Sequence, residues 1–146
     1  MAASGTNQPP TAGEHRTRPV GQTTGSAERP AQRVAGPVLA FDLVAEMEQL
    51  RSEPVLRQNG RNAKTLVKEP DFRVVLVAME AGARMDEHQA AGSVSLHALS
   101  GRLRVHLPGG QVADLPAGRL VALEAGVRHD VEAVERSAFL LTVAWR

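Results

Sequence analysis

Two histidines stand where this chain could do chemistry. His88 follows Gly82 with five residues between, and a later stretch runs Gly118, five residues, Glu124-Ala125-Gly126, two residues, His129. A neutral imidazole donates from one nitrogen and accepts at the other, titrates near neutral pH and binds divalent metals. A converging pair could therefore hydrogen-bond a ligand's carbonyl, hydroxyl or carboxylate, shuttle a proton, or begin a metal site. The chain has no Cys and no Tyr. The first absence excludes thiol nucleophiles, zinc-thiolate centres and disulfides, and the second weakens acid–base chemistry that pairs a His base with a Tyr acid. Of the remaining histidines, His15 lies in a polar leader, and His97 and His106 fall within two apolar-alternating runs.

The residues around these histidines read as strands. Short runs of period two or continuous apolar character cover roughly 64–68, 72–79, 94–99, 102–107, 111–115, 119–123, 129–134 and 137–145. Pro or Gly punctuates them at Pro70, Gly101, Pro108-Gly109-Gly110, Pro116-Ala117-Gly118 and Gly126. This is the pattern of an all-β sandwich or barrel. If Ser100-Gly101 is a two-residue hairpin turn, Leu99 faces Arg102 and Ala98 faces Leu103. Val94, Leu96 and Ala98 then meet Leu103, Val105 and Leu107 on the inner face, and Ser95 and His97 meet Arg104 and His106 outside, away from any ligand. The run 137–145 carries apolar residues on both faces and is expected to be covered on both. Before the strands, Asp42 is a good N-cap for one short helix bearing Leu43, Val44, Met47 and Leu50, which Pro54 ends.

The two glycine-bounded stretches, with Gly101 between them, resemble the paired motifs of the cupin superfamily. The resemblance covers residues 72–145 and implies an all-β cupin-type double-stranded β-helix, a jelly-roll barrel. In metal-binding cupins the first motif supplies His, His and Glu and the second a further His, a set suited to iron, manganese, nickel or zinc. By that correspondence His88 and His129 match ligands, while Ala90 stands at the second His position and Val94 at the Glu position. Asp130 and Glu132 lie beside His129, but strand alternation sends them to the opposite face. Asp86, Glu87 and Gln89, read as loop residues, remain as sources of a third ligand. The resemblance thus implies a barrel pocket bounded by His88, His129, Ala90, Val94 and Leu96 that binds a small organic molecule. The alternative is a metal-dependent cupin enzyme, of dioxygenase or isomerase type, whose divalent ion is held by His88, His129 and a third group. Arg84, Arg119 and Arg128 are candidates for an anion partner at the pocket mouth. The family also implies a homodimer, with the strand 64–68 and the preceding helix at its interface.

Composition bounds the remaining classes. Seventeen Lys and Arg against 16 Asp and Glu leave a net charge of +1, with no basic excess for a nucleic-acid partner. No apolar run is long enough to span a bilayer and no signal-peptide core stands at the N-terminus, so a cytoplasmic protein is expected. Residues 1–37 hold five Pro and five Gly but no Leu, Ile, Phe or Trp. Such a stretch cannot offset its chain entropy by burial and is expected to be a disordered tail, leaving 38–146 as one domain.

Overall fold

The computed structural model describes residues 29–145, except for the side chains of Glu87 and His88. Two short helices, α1 (Leu43–Ser52) and α2 (Pro54–Asn59), precede nine strands: β1 (Arg61–Glu69), β2 (Phe72–Met79), β3 (Arg84–His88), β4 (Ser93–Ser100), β5 (Arg102–His106), β6 (Val112–Pro116), β7 (Leu120–Leu123), β8 (His129–Ala133) and β9 (Ser137–Ala144). They form one sheet in the order β1-β2-β9-β4-β7 and a second in the order β3-β8-β5-β6.

The pairing has a simple logic. β2 pairs β9, β3 pairs β8, β4 pairs β7 and β5 pairs β6, all antiparallel. The chain is thus one long two-stranded ribbon, closed at the β5–β6 turn, that folds back and forth between the two sheets. Each fold needs a corner in both strands, and the glycines of the sequence sit there. Gly82 has φ 85° and Gly101 φ 79°, left-handed values that favour glycine.

Ser100-Gly101 is therefore such a corner and not a hairpin turn, and the expected β4–β5 pairing does not occur. A Cβ on Gly101 would lie 2.2 Å from the Arg136 carbonyl oxygen and 2.4 Å from Ser137 Oγ. That contact presses the crossing chain against the start of β9, where the Arg102 amide donates to Ser137 Oγ at 3.0 Å. The inner faces survive the correction, because Val94, Leu96 and Ala98 meet Leu103 and Val105 across the sandwich instead of along a ladder. His97 and His106 are outward on opposite sheets.

Two further expectations change. Pro54 ends α1 and also starts α2 at its first turn, where its missing N–H costs nothing. The strand β3 was not expected because Arg84-Met85-Asp86-Glu87-His88 has almost no apolar signal; its backbone nevertheless pairs Arg84 with Glu132 and His88 with His129. Asp42 caps α1 as expected, accepting from the Val44 and Ala45 amides.

The inward side chains form one core around Phe139, Leu103, Val105, Ala98 and Met79, all without exposure. The helices cover the other face of the large sheet through Leu50, Leu56, Leu66, Leu76 and Ala78. β9 is accordingly covered on both faces over most of its length. Of the expected tail, residues 1–28 lie outside the described residues, but 29–37 are held against β1. Arg29 bonds Glu53 through Nε at 3.0 Å and Nη2 at 2.9 Å, and donates to Asn62 Oδ1 and the Ala63 carbonyl. The Lys68 amide donates to the Val34 carbonyl. Among the described residues no helix is long and apolar enough to cross a membrane.

Candidate functional site

Because the ribbon alternates direction, its corners fall at two ends of the sandwich. At one end lie Gly82, Gly101, Gly118 and the turn before β9; at the other lie 89–92, 124–128 and the chain ends at Phe72 and Ala144. The inward residues are fully buried at the first end, as Leu103, Ala133, Phe139 and Met79 show. At the second end Leu107, Ala90, Leu123 and Trp145 are only partly buried, and at the first Ala83 is. The Gly101 end is the more closely packed of the two, and the other is the open end.

His129 is the first residue of β8, at the open end, and is 2% exposed. Alternation places it with Val131 and Ala133 on the inner face, both fully buried, in line with expectation. Its Nδ1 lies 2.9 Å from the Val127 carbonyl oxygen. A carbonyl can only accept, so Nδ1 carries the proton and in the neutral ring Nε2 is the acceptor. His88 pairs with His129 across β3 and β8, so the topology brings the two motif histidines to adjacent backbone positions; the side chain of His88 lies outside the described residues.

The other expected pocket residues fall around this end. Val94 is 4% exposed and pairs Val143 and Leu123; Leu96, one step deeper, is 2% exposed. Ala90 packs against the same core from the 89–92 corner, whose backbone accepts from the Gly126 amide at 2.9 Å. Position 94 therefore offers hydrocarbon to the inner space. Asp130 and Glu132 point outward, where Arg84 donates to Asp130 and His106 Nε2 stands 2.9 Å from Glu132 Oε1. The hydrogen bond to His106, with Arg84 and Arg104 nearby, holds the Glu132 carboxyl below the usual range.

Of the arginines expected at the mouth, only Arg128 is there, 3.4 Å from Gln89 Oε1. Arg84 and Arg119 lie at the closed end, the first on the outer face between Asp130 and Glu132 and the second against the Asp114 carbonyl. The sequence reading missed Arg73. It shares the face of Val75, Val77 and Met79 in β2, and that period-two parity was a signal available in the sequence.

Among the described residues no three His, Asp or Glu side chains converge on a point that could hold a metal. The β3–β8 pairing brings the stretch 86–89, which holds the other candidate ligands, beside His129. A shallow groove of about 350 Å³ runs along β4, β7 and β9, lined by Ser93, Val94, Ser95, Ala122, Leu123, Glu124, Thr142 and Ala144.

No protein-family model matches the sequence, and no curated protein does. Solved structures do. A cupin superfamily protein from Desulfitobacterium hafniense aligns with a TM-score of 0.57 at 17% identity, over 60% of this chain and 80% of that one. The fold is that of the cupins. KdgF from Halomonas sp. aligns at 24% identity and a TM-score of 0.54, over 60% of this chain and 82% of its own. Salicylate 1,2-dioxygenase from Pseudaminobacter salicylatoxidans reaches a TM-score of 0.67 at 17% identity, with 78% of this chain covering 37% of that larger one. At these identities the likeness is one of fold, and the site residues must speak for the chemistry.

Proposed function

We propose that this cupin binds a small organic molecule between its sheets at the open end, with His129 Nε2 as the acceptor that orients it. The observation that carries this reading is a buried imidazole whose Nδ1–H is fixed by the Val127 carbonyl, on the same inner face as Val131 and Ala133. Val94, Leu96, Val131 and Leu107 supply contact area, and one directional polar group supplies orientation, which is the usual composition of a ligand site. Screening a fragment library by NMR against the full chain tests it: bound fragments should shift the His129 ring signals, and His129→Leu should abolish the shifts while the protein stays folded. Fragments that move only Ser95, Thr142 and their neighbours on the outer face would refute it.

A second reading, a metal-dependent enzyme, draws on one observation. The Nδ1–H bond to the Val127 carbonyl is the outer-shell contact that orients a metal-ligating histidine through Nε2. A bound divalent ion would supply Lewis-acid chemistry at His129 and position 88. Elemental analysis of protein purified without chelator separates the readings: a stoichiometric metal lost in His129→Gln supports the enzyme, and its absence supports the binding protein.

A further inference from the structure

Resting on the small-molecule reading above, we infer that the ligand carries a carboxylate and that Arg73 anchors it. Arg73 belongs to the inward row nearest the open end, directly opposite Val143 of β9, which is in turn opposite Val94. Its Nε is buried and has no hydrogen-bond partner. The contact described for its guanidinium is with an apolar surface, the ring of Trp145, whose centroid lies 5.4 Å from Cζ.

That combination is unusual for an arginine that only decorates a surface. Exposed guanidinium groups keep their donors in water, and buried ones pair with acids. Here the stem and Nε leave water without an acceptor, and the charge does not leave with them. The Nε and Nη edge of a guanidinium presents two parallel donors that match a carboxylate bidentately. Lys68 is the cross-strand partner of Arg73.

The rim is also built rather than incidental. A Cβ on Gly92 would lie 2.3 Å from the Ala144 carbonyl oxygen and 3.1 Å from Trp145 Cδ1, so the 89–92 corner presses directly on the Trp145 segment. The Trp145 amide is fixed to the Asp71 carbonyl at 3.0 Å. The indole is thereby held, and it in turn flanks the guanidinium. By register Arg73 on the inward row of the large sheet and His129 on that of the small one lie toward the same end of the sandwich, whose sheets are about 10 Å apart. A ligand with a carboxylate at one end and an apolar, planar or cyclic body spans that distance.

The test compares benzoate with benzamide, equal in shape and different in charge, by NMR titration of the full chain with the Arg73 Nε–H and the His129 ring as reporters. Benzoate should shift the Arg73 Nε–H and bind about tenfold to a hundredfold more tightly than benzamide, the range of hydrogen bonds to charged groups. Arg73→Gln should erase that preference and leave benzamide unaffected, while Arg73→Lys, which keeps charge but not the two-pronged geometry, should retain part of it. An arginine that merely packs on Trp145 would leave the preference unchanged in both variants. Equal binding of benzoate and benzamide, with His129 shifted by both, overturns the anchor and leaves the pocket standing. If neither compound, nor any fragment of the library, moves His129, the pocket falls and the anchor with it.

Discussion

Truncating Glu53 should cost this protein more than truncating any exposed charge, and the geometry sets the size. The Glu53 carboxylate accepts from Arg29 Nε and Nη2, from Asn62 Nδ2 at 2.9 Å and from Gln49 Nε2 at 3.2 Å. The Arg29 and Glu53 side chains are 7% and 14% exposed, and Asn62 is 2% exposed. Glu53→Ala leaves a mostly buried guanidinium without its counter-charge. Breaking such a pair costs about 3–5 kcal/mol, and because Arg29 keeps its bonds to Asn62 and the Ala63 carbonyl we place the loss near the lower end, about 3 kcal/mol. In a domain of this size that lowers Tm by roughly 10–15 °C. Arg102→Ala is the control: its pair with Asp114 is 41% and 49% exposed, so its loss should stay under about 1 kcal/mol. Urea unfolding of the two variants, of Arg29→Ala and of the Arg29/Glu53 double variant measures both values and the coupling. Burial opposes ionisation of Glu53, but the bonds from Arg29 and Asn62 outweigh it and hold its pKa below the usual carboxylate value. A depressed folded pKa means that the stabilisation is complete above the unfolded value of about 4.3 and is lost as pH falls through the folded one. The advantage of the native chain over Glu53→Gln should thus be constant near neutrality and shrink in acid. Equal losses for Glu53→Ala and Arg102→Ala, or an advantage that grows in acid, would refute the reasoning.

Gly101→Ala should destabilise by more than about 2 kcal/mol, because the backbone at φ 79° disfavours a side chain and the added Cβ would meet the Arg136 carbonyl; thermal unfolding checks it, and a neutral result would mean the corner can shift. Phe139→Ala should cost about 3–5 kcal/mol, since Phe139 has no exposure and sits centrally in the inter-sheet core, and chemical denaturation reads the value directly.

The fold was legible because its signals are local and redundant. Alternation marked the strand regions of both sheets apart from β3, glycines marked the corners, and Asp42 marked the start of α1. What escaped the sequence had no local signal. β3 reads as loop because four of its five residues, Arg84, Asp86, Glu87 and His88, are polar, and it is a strand only because β8 lies beside it. Ser100-Gly101 fits a hairpin turn as well as a ribbon corner, and what decides between them is the close approach of Arg136 and Ser137, 35 residues or more along the chain. The ordering of 29–37 turns on Arg29 finding Glu53 and Asn62, an ion pair no composition reveals.

The site was legible in a different measure, for a reason that lies in the ribbon itself. A corner constrains the backbone, so the glycines of both motifs can be recognised whatever the barrel holds. The inward rows constrain only face and volume, so at those positions any aliphatic residue serves the fold. Val94, between Val143 and Leu123, is as good a strand residue as a ligand would be and a better core residue. Aliphatic residues at positions 90 and 94 therefore leave the barrel intact, and in the reading proposed above the groups that orient a ligand are the polar ones the core has no use for. At the open end of the described structure these are His129, buried with its tautomer set by Val127, and Arg73, whose Nε is left without an acceptor by its own fold. Retaining an unsatisfied buried donor works against stability, and in the reading proposed above a bound carboxylate would remove that penalty.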